Sequence, residues 1–372
     1  MIKSQGICEV ISMTENKKRI TGLDLCKVLG AILVIYYHLV FPYPPDVVSP
    51  GFRLGYIPYI LSSGMSICVP FFFMSSGALT LKKDVDLKSN IRRCIHLFFL
   101  LVFWAVFSLG LILLMRGEWY GVKEFIYILR DLRQGYIQHL WYMPSFLMLM
   151  IMTPVLRSLL NQNRKMLCYL IAVIFLFTFV DKLLNDGEYL LRWVLGKAGY
   201  SGYRSFFGYT NFFAYHYWYI FVYFVVGYVL LEKAEELKKH KKWVLFSIPL
   251  MLLCLGVVAV ARSKVRLSAF DPVFNNYDSP LTLVLTSAVF LLLLWWECPG
   301  WLSRFGESLS RISLGIYLIH WLLIEAVKSF LPGLMGNHLA APVLTVIIFA
   351  LSYLISLGIS RVPLVKRLIE PK

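Results

Sequence analysis

The stretch IHLFFLLVFWAVFSLGLILLM, residues 95–115, carries a single titratable group, His96. At about 1.5 Å of rise per residue, such a run is long enough as a helix to cross a hydrocarbon layer about 30 Å thick. A helix is also the form it must take there, because lipid offers no partner to an open backbone N–H or C=O. Further windows of similar length and character fall near residues 23–41, 57–79, 140–160, 166–184, 211–231, 243–261, 279–297, 311–330 and 340–361. The chain has 372 residues, 59% hydrophobic and 16% charged, against about 25% charged in a soluble domain. The excess apolar surface must face lipid. The expectation is an all-α polytopic membrane protein of about ten transmembrane helices, with a polar tail over 1–21, one membrane domain over 22–362 and a second tail over 363–372.

Cytoplasmic loops retain lysine and arginine. With residues 1–21 inside, the inside segments hold 23 of the 37 Lys+Arg and the outside segments hold 13, Lys27 lying within the first helix. This bias predicts both termini cytoplasmic and a multi-pass protein of the cell membrane. The net charge of +16 then meets anionic lipid and requires no nucleic acid. The seven cysteines show no C-x-x-C or other metal-type spacing, and none falls in an expected outside loop. Neither a metal site nor a disulfide framework is expected. No small-residue cleavage site follows the first apolar run, so no removable signal peptide is expected. Nucleophile elbows, phosphate-binding loops and dinucleotide fingerprints are absent.

Chemistry is sought where ionisable groups interrupt the apolar runs, because such groups are costly in lipid. In the first helix Lys27 and His38 are eleven residues apart, which places them on nearly one face and about 16 Å apart along the axis. Two readings stand level. Either the pair marks a track for a carrier whose anionic head stays at the cytoplasmic end while its reactive end reaches His38, a group able to take a hydroxyl proton near neutral pH, or Lys27 snorkels to the interface and His38 bonds a carbonyl. At the outer start of the fourth helix, His139, Trp141 and Tyr142 form either a polar site at the depth of His38 or an ordinary aromatic belt.

In the ninth helix Ser313, Tyr317 and His320 recur at i, i+4 and i+7, a stripe that points into the bundle as a packing seam or as a substrate path. Glu325 lies well away from His320 around that helix and is not paired with it. Near the inner surface, Phe71-Phe72-Phe73-Met74-Ser75-Ser76-Gly77 precedes Lys82, Lys83, Lys88, Arg92 and Arg93. This basic rim would attract a phosphate-bearing head group, although retention of positive charge inside also produces it. Arg92 and Arg93, at the mouth of the third helix, are the stronger candidates. The outer aromatics Tyr200, Tyr203, Tyr209, Tyr215, Tyr217, Trp218 and Tyr219 would stack a sugar or form an interfacial belt; His216 among them has no assigned role.

Four of these stretches together resemble the acyltransferase-3 family of integral-membrane O-acyltransferases. They are Leu23-Asp24 with Lys27 and His38, where the family has an Arg ahead of the His; Val69 to Gly77; His139-Leu140-Trp141-Tyr142; and Ser313 to His320. Lys27 keeps the charge of the family arginine but not its planar fork, and His96 with Phe98 stands where the family often has a further Arg and a Pro. The resemblance implies transfer of an acyl group, usually acetyl from acetyl-CoA, to a hydroxyl of a cell-surface glycan or lipid-linked envelope component. It implies His38 as the catalytic residue together with Lys27 and Asp24. Coenzyme A would be held by Arg92, Arg93, Ser76 and Lys27, and the acceptor by His139, Trp141, Tyr142, Tyr317 and His320; acyl-CoA is then a donor substrate, with no bound cofactor. Two other classes compete. A carrier for a small polar metabolite such as an amino acid favours broken helices and paired midplane charges, and a non-catalytic scaffold tolerates loss of Lys27, His38 and His320.

Overall fold

The computed structural model describes residues 19–41, 56–84, 86–132, 135–200, 202, 205–208, 211–213 and 217–370. Residues 1–18 of the N-terminal tail, Pro371 and Lys372 of the C-terminal tail, and Tyr203, Tyr209, Tyr215 and His216 of the outer aromatic run lie outside the described residues.

Every apolar window contains a helix among the described residues. Eight are long and apolar enough to cross a membrane: α1 (Thr21–Val40), α2 (Tyr59–Thr80), α3 (Leu87–Arg116), α4 (Gln138–Gln162), α5 (Arg164–Val194), and, after α6, α7 (Ala234–Arg266), then, after α8, α9 (Ser313–Phe330) and α10 (Ala340–Arg361). The two shorter apolar helices, α6 (Tyr219–Glu232) and α8 (Pro280–Trp295), complete the ten. The protein is thus an all-α, polytopic membrane protein, and no strand occurs among the described residues.

A short helix is tolerated at α6 because protein, not lipid, surrounds it: Tyr219 to Val225, Gly227 and Tyr228 are all buried. Its closest neighbour is α2, and the crossing depends on two glycines. A Cβ on Gly77 would lie 1.8 Å from the Phe224 carbonyl oxygen, and one on Gly227 would lie 2.1 Å from that of Met74. Small residues let the two backbones touch, which is how membrane helices gain dispersion energy without a hydrophobic driving force.

By contrast α3 and α10 turn large apolar side chains outward, including Phe98, Phe99, Val346 and Leu354, as lipid-facing helices should. At the start of α3 Asp86 accepts from the Ser89 backbone N–H at 2.8 Å, a side-chain cap that satisfies one open donor. The turn after its far end uses Gly117 at φ 65°, the left-handed geometry glycine adopts freely. α5 changes character at Leu176–Val180, where the backbone winds as a π-helix; beyond it the helix is strongly amphipathic. α1 packs against α2, α8, α9 and α10, so both ends of its polar stripe are enclosed by other helices.

Candidate functional site

Two cavities flank the same stretch of α1. The one at the Lys27 end has a volume of about 430 Å³ and is walled by Lys27, Ser76, Lys83, Asp84, Asn90, Arg93 and Ser313, among others. The one at the His38 end has a volume of about 1020 Å³, and its walls include His38, His139, Trp141, Tyr217, Asp271 and His320. Phe72, Tyr142 and Tyr317 belong to both. Those three rings form a common wall between the Lys27 chamber and the His38 chamber.

Helix periodicity explains the placement. Lys27 and His38 share a face of α1, while Ser313, Tyr317 and His320 share a face of α9. The α9 stripe therefore lines the first chamber at Ser313, the common wall at Tyr317 and the second chamber at His320. The turn Gln138–Trp141 that opens α4 carries His139 into the second chamber, fixed by a hydrogen bond from the Tyr317 hydroxyl to the His139 carbonyl. Tyr142 lies one residue further on, 5.4 Å from Tyr317 and 5.0 Å from Phe73 between ring centroids.

In the second chamber the imidazoles of His38 and His320 stack at 6.0 Å, and His139 meets His320 edge-on at 6.1 Å. Neither ring nitrogen of His139 has a hydrogen-bond partner among the described residues, nor has Nε2 of His320. Such open groups in a polar chamber are free to bond substrate or water. In the first chamber the Arg93 Nε likewise has no partner, and Lys27 Nζ reaches Ser310 Oγ at 3.2 Å. Two cations are therefore presented to that cavity with little of their hydrogen-bonding capacity used.

The candidates named from sequence divide accordingly. Lys27, Ser76 and Arg93 meet in the first chamber, and His38, His139, Trp141, Tyr142, Tyr317 and His320 meet in the second. Two stand apart. Arg92 is exposed and lines neither cavity. Asp24 is buried at the start of α1 and is held by the Arg19 guanidinium at 2.6 and 3.0 Å, on the far side of Lys27 from His38. His96, where the family often has an Arg, bonds the Glu370 carbonyl at 2.9 Å.

Several polar groups, and the partners of Glu325, escaped the sequence reading. Asp271, in the connection between α7 and α8, lines the second chamber and accepts from the Tyr37 hydroxyl at 2.5 Å, beside His38. Burial holds its carboxyl above the usual aspartate range, against opposing hydrogen bonds from Tyr37 and from the backbone of Val273 and Phe274. Glu325 is fully buried and paired with Arg116 of α3 and Lys328 of α9, so it is indeed not a partner of His320. Lys182, Asp186 and Arg262 form a buried cluster between α5 and α7, with Arg262 Nε 2.6 Å and Lys182 Nζ 3.2 Å from Asp186 Oδ1. A charge inside an apolar window was the available signal for Glu325, and one at the edge of a window for Arg262; Arg116 and Asp186, which meet them from other helices, have no sequence signature.

A family model described as an acyltransferase domain, that of the acyltransferase-3 family, matches residues 20–361. No curated protein and no solved structure matches the chain. The match spans every helix that builds the two chambers, and the chain belongs to the acyltransferase-3 family as an integral membrane acyltransferase.

Proposed function

We propose that the protein transfers an acetyl group from acetyl-CoA, bound from the cytoplasm at the Lys27 chamber, to a hydroxyl of a surface glycan or lipid-linked envelope component held in the His38 chamber. The observation that carries this reading is the pair of chambers meeting at Phe72, Tyr142 and Tyr317 along one face of α1. A donor with phosphates at one end and a thioester at the other suits it: Lys27 and Arg93 bind the anionic end, and the flexible arm lies along the wall toward His38.

The reaction balances with the groups present. His38 takes the proton of the acceptor hydroxyl, whose oxygen bonds to the thioester carbonyl carbon. The carbon–sulfur bond then breaks, and the imidazolium returns its proton to the departing thiolate. His139 and His320 offer N–H donors or lone pairs to the acceptor, and Trp141 with Tyr217, stacked at 4.9 Å, forms an aromatic side to the chamber that suits a sugar face. Asp24 serves this site indirectly, by fixing the start of α1 through Arg19. The N-terminus, on this reading, is cytoplasmic and the membrane is the cell membrane.

The test is transfer of label from [14C]acetyl-CoA to envelope material by membranes carrying the parental protein or His38→Ala. Loss of transfer in the folded variant supports the reading; transfer at the parental rate removes His38 from it. The carrier reading rests on the same two chambers seen as alternately open halves, and solute uptake into vesicles without any acyl-CoA would favour it.

A further inference from the structure

Among the described residues, no hydrogen bond fixes the His38 imidazole. Rings surround it instead, with centroids at 4.8 Å for Tyr37, 6.0 Å for His320 and 4.9 Å for Trp321, whose plane is turned 79° from the imidazole. The terminal torsion of a histidine is broad, so the direction of its nitrogen lone pair is set by whichever of these neighbours is itself immobile. Tyr37 is tied to Asp271 through its hydroxyl, and Trp321 is held on more sides than the other rings. It is 1% exposed. Its Nε1 donates to the Tyr136 carbonyl at 2.6 Å, His139 stacks on it at 5.0 Å and 14°, and the Lys328 ammonium lies 4.4 Å from its ring centroid.

The ammonium is itself anchored. Trp321, Glu325 and Lys328 follow at i, i+4 and i+7 on α9, so they share one face of that helix. Lys328 Nζ donates to Glu325 Oε1 at 2.7 Å, and the other carboxylate oxygen is taken by Arg116. Arg116 also donates to the Gly135 carbonyl and lies 4.9 Å from the Tyr136 ring centroid. One guanidinium thus secures both the carboxylate that holds Lys328 and the segment whose carbonyl holds Trp321. A buried carboxylate with two cations is costly to disrupt, because removing one partner leaves an uncompensated charge.

We propose that Trp321 is a positioning residue for His38, and that the Arg116–Glu325–Lys328 cluster locks the indole that aims the imidazole. This rests on His38 acting as the base of acyl transfer, but its structural content is separately measurable. General-base catalysis requires the lone pair to point at the hydroxyl proton, and the T-shaped contact with the indole is what sets this here.

The experiment compares parental protein, Trp321→Ala, Trp321→Phe and Glu325→Gln in liposomes, each accepted only with the parental unfolding temperature or one clearly above the assay temperature. Carbethoxylation of His38 by diethylpyrocarbonate is followed by peptide mass analysis, with exposed His240 as the internal reference. In parallel, acetyl-CoA turnover is measured on envelope membranes. Expected are an altered His38 rate at unchanged His240 rate in Trp321→Ala and Glu325→Gln, near-parental behaviour in Trp321→Phe, and kcat lower by about tenfold to a hundredfold at unchanged KM for acetyl-CoA. An unchanged His38 rate in both Trp321→Ala and Glu325→Gln overturns the proposal. Should Trp321→Ala not fold, Glu325→Gln against Trp321→Phe decides alone. If the parental protein turns over no acetyl-CoA, the functional reading falls, while the His38 rates still judge the positioning role.

Discussion

The Tyr317 hydroxyl donates to the backbone carbonyl of His139, tying the middle of α9 to the turn that opens α4. Through that bond one tyrosine both closes the wall between the two chambers and fixes a histidine of the second. Tyr317→Phe keeps the ring and removes the donor. A loss of about 0.5–1.5 kcal/mol is expected, read as a lower unfolding temperature in detergent together with reduced transfer. Unchanged stability would mean that water replaces the hydroxyl.

At the α2–α6 crossing, Gly77→Ala places a methyl where the Phe224 carbonyl already stands, and Gly227→Ala does the same against Met74. Backbone cannot rotate away as a side chain would. Each variant should lose about 1–3 kcal/mol through forced separation of the helices. Denaturation in mixed micelles measures this, and parental stability in both variants would contradict the close crossing.

Arg93 contributes a charge to the Lys27 chamber while its Nε has no partner among the described residues. Arg93→Gln is therefore expected to weaken coenzyme A binding by about 1.5–3 kcal/mol, the worth of a hydrogen bond to a charged group, with little effect on unfolding. Arg92→Gln, outside the cavity, should bind as the parent does. Titration calorimetry with coenzyme A compares the two, and equal losses would show that only general surface charge matters.

His38→Gln keeps a polar side chain of similar reach but cannot cycle a proton. Transfer should fall by about 10²–10⁴-fold with coenzyme A binding retained. If binding is lost as well, His38 belongs to the donor site and not to the chemistry.

Asp271 carries a pH signature. Its carboxyl is held above the usual range by burial, so the folded protein keeps a proton that the unfolded chain releases near pH 3.9. Stability from this group is greatest below that value and declines as pH rises through the folded value. Asp271→Asn should flatten that part of the profile while still accepting from Tyr37. A variant with the parental slope, followed by thermal unfolding across the acid range, would place the titration elsewhere.

Eight membrane-length helices and two shorter apolar ones fall in the windows read from the sequence, because lipid imposes a minimum length and one backbone form on an apolar run that crosses it. The stripes Lys27–His38 and Ser313–Tyr317–His320 follow too, from helical periodicity alone. Four motifs in order were enough to indicate the family. Which stripes face one another was decided only by tertiary packing: α9 packs against α1, and Phe72, Tyr142 and Tyr317 stand between the chamber of Lys27, Ser76 and Arg93 and the chamber of His38, His139, Trp141 and His320. The same is true of Glu325, which draws Arg116 from a distant helix. Lipid acts on each helix separately and writes its demand into each segment, whereas a buried charge also draws partners from whatever the fold brings beside it, and the sequence of one helix does not encode those.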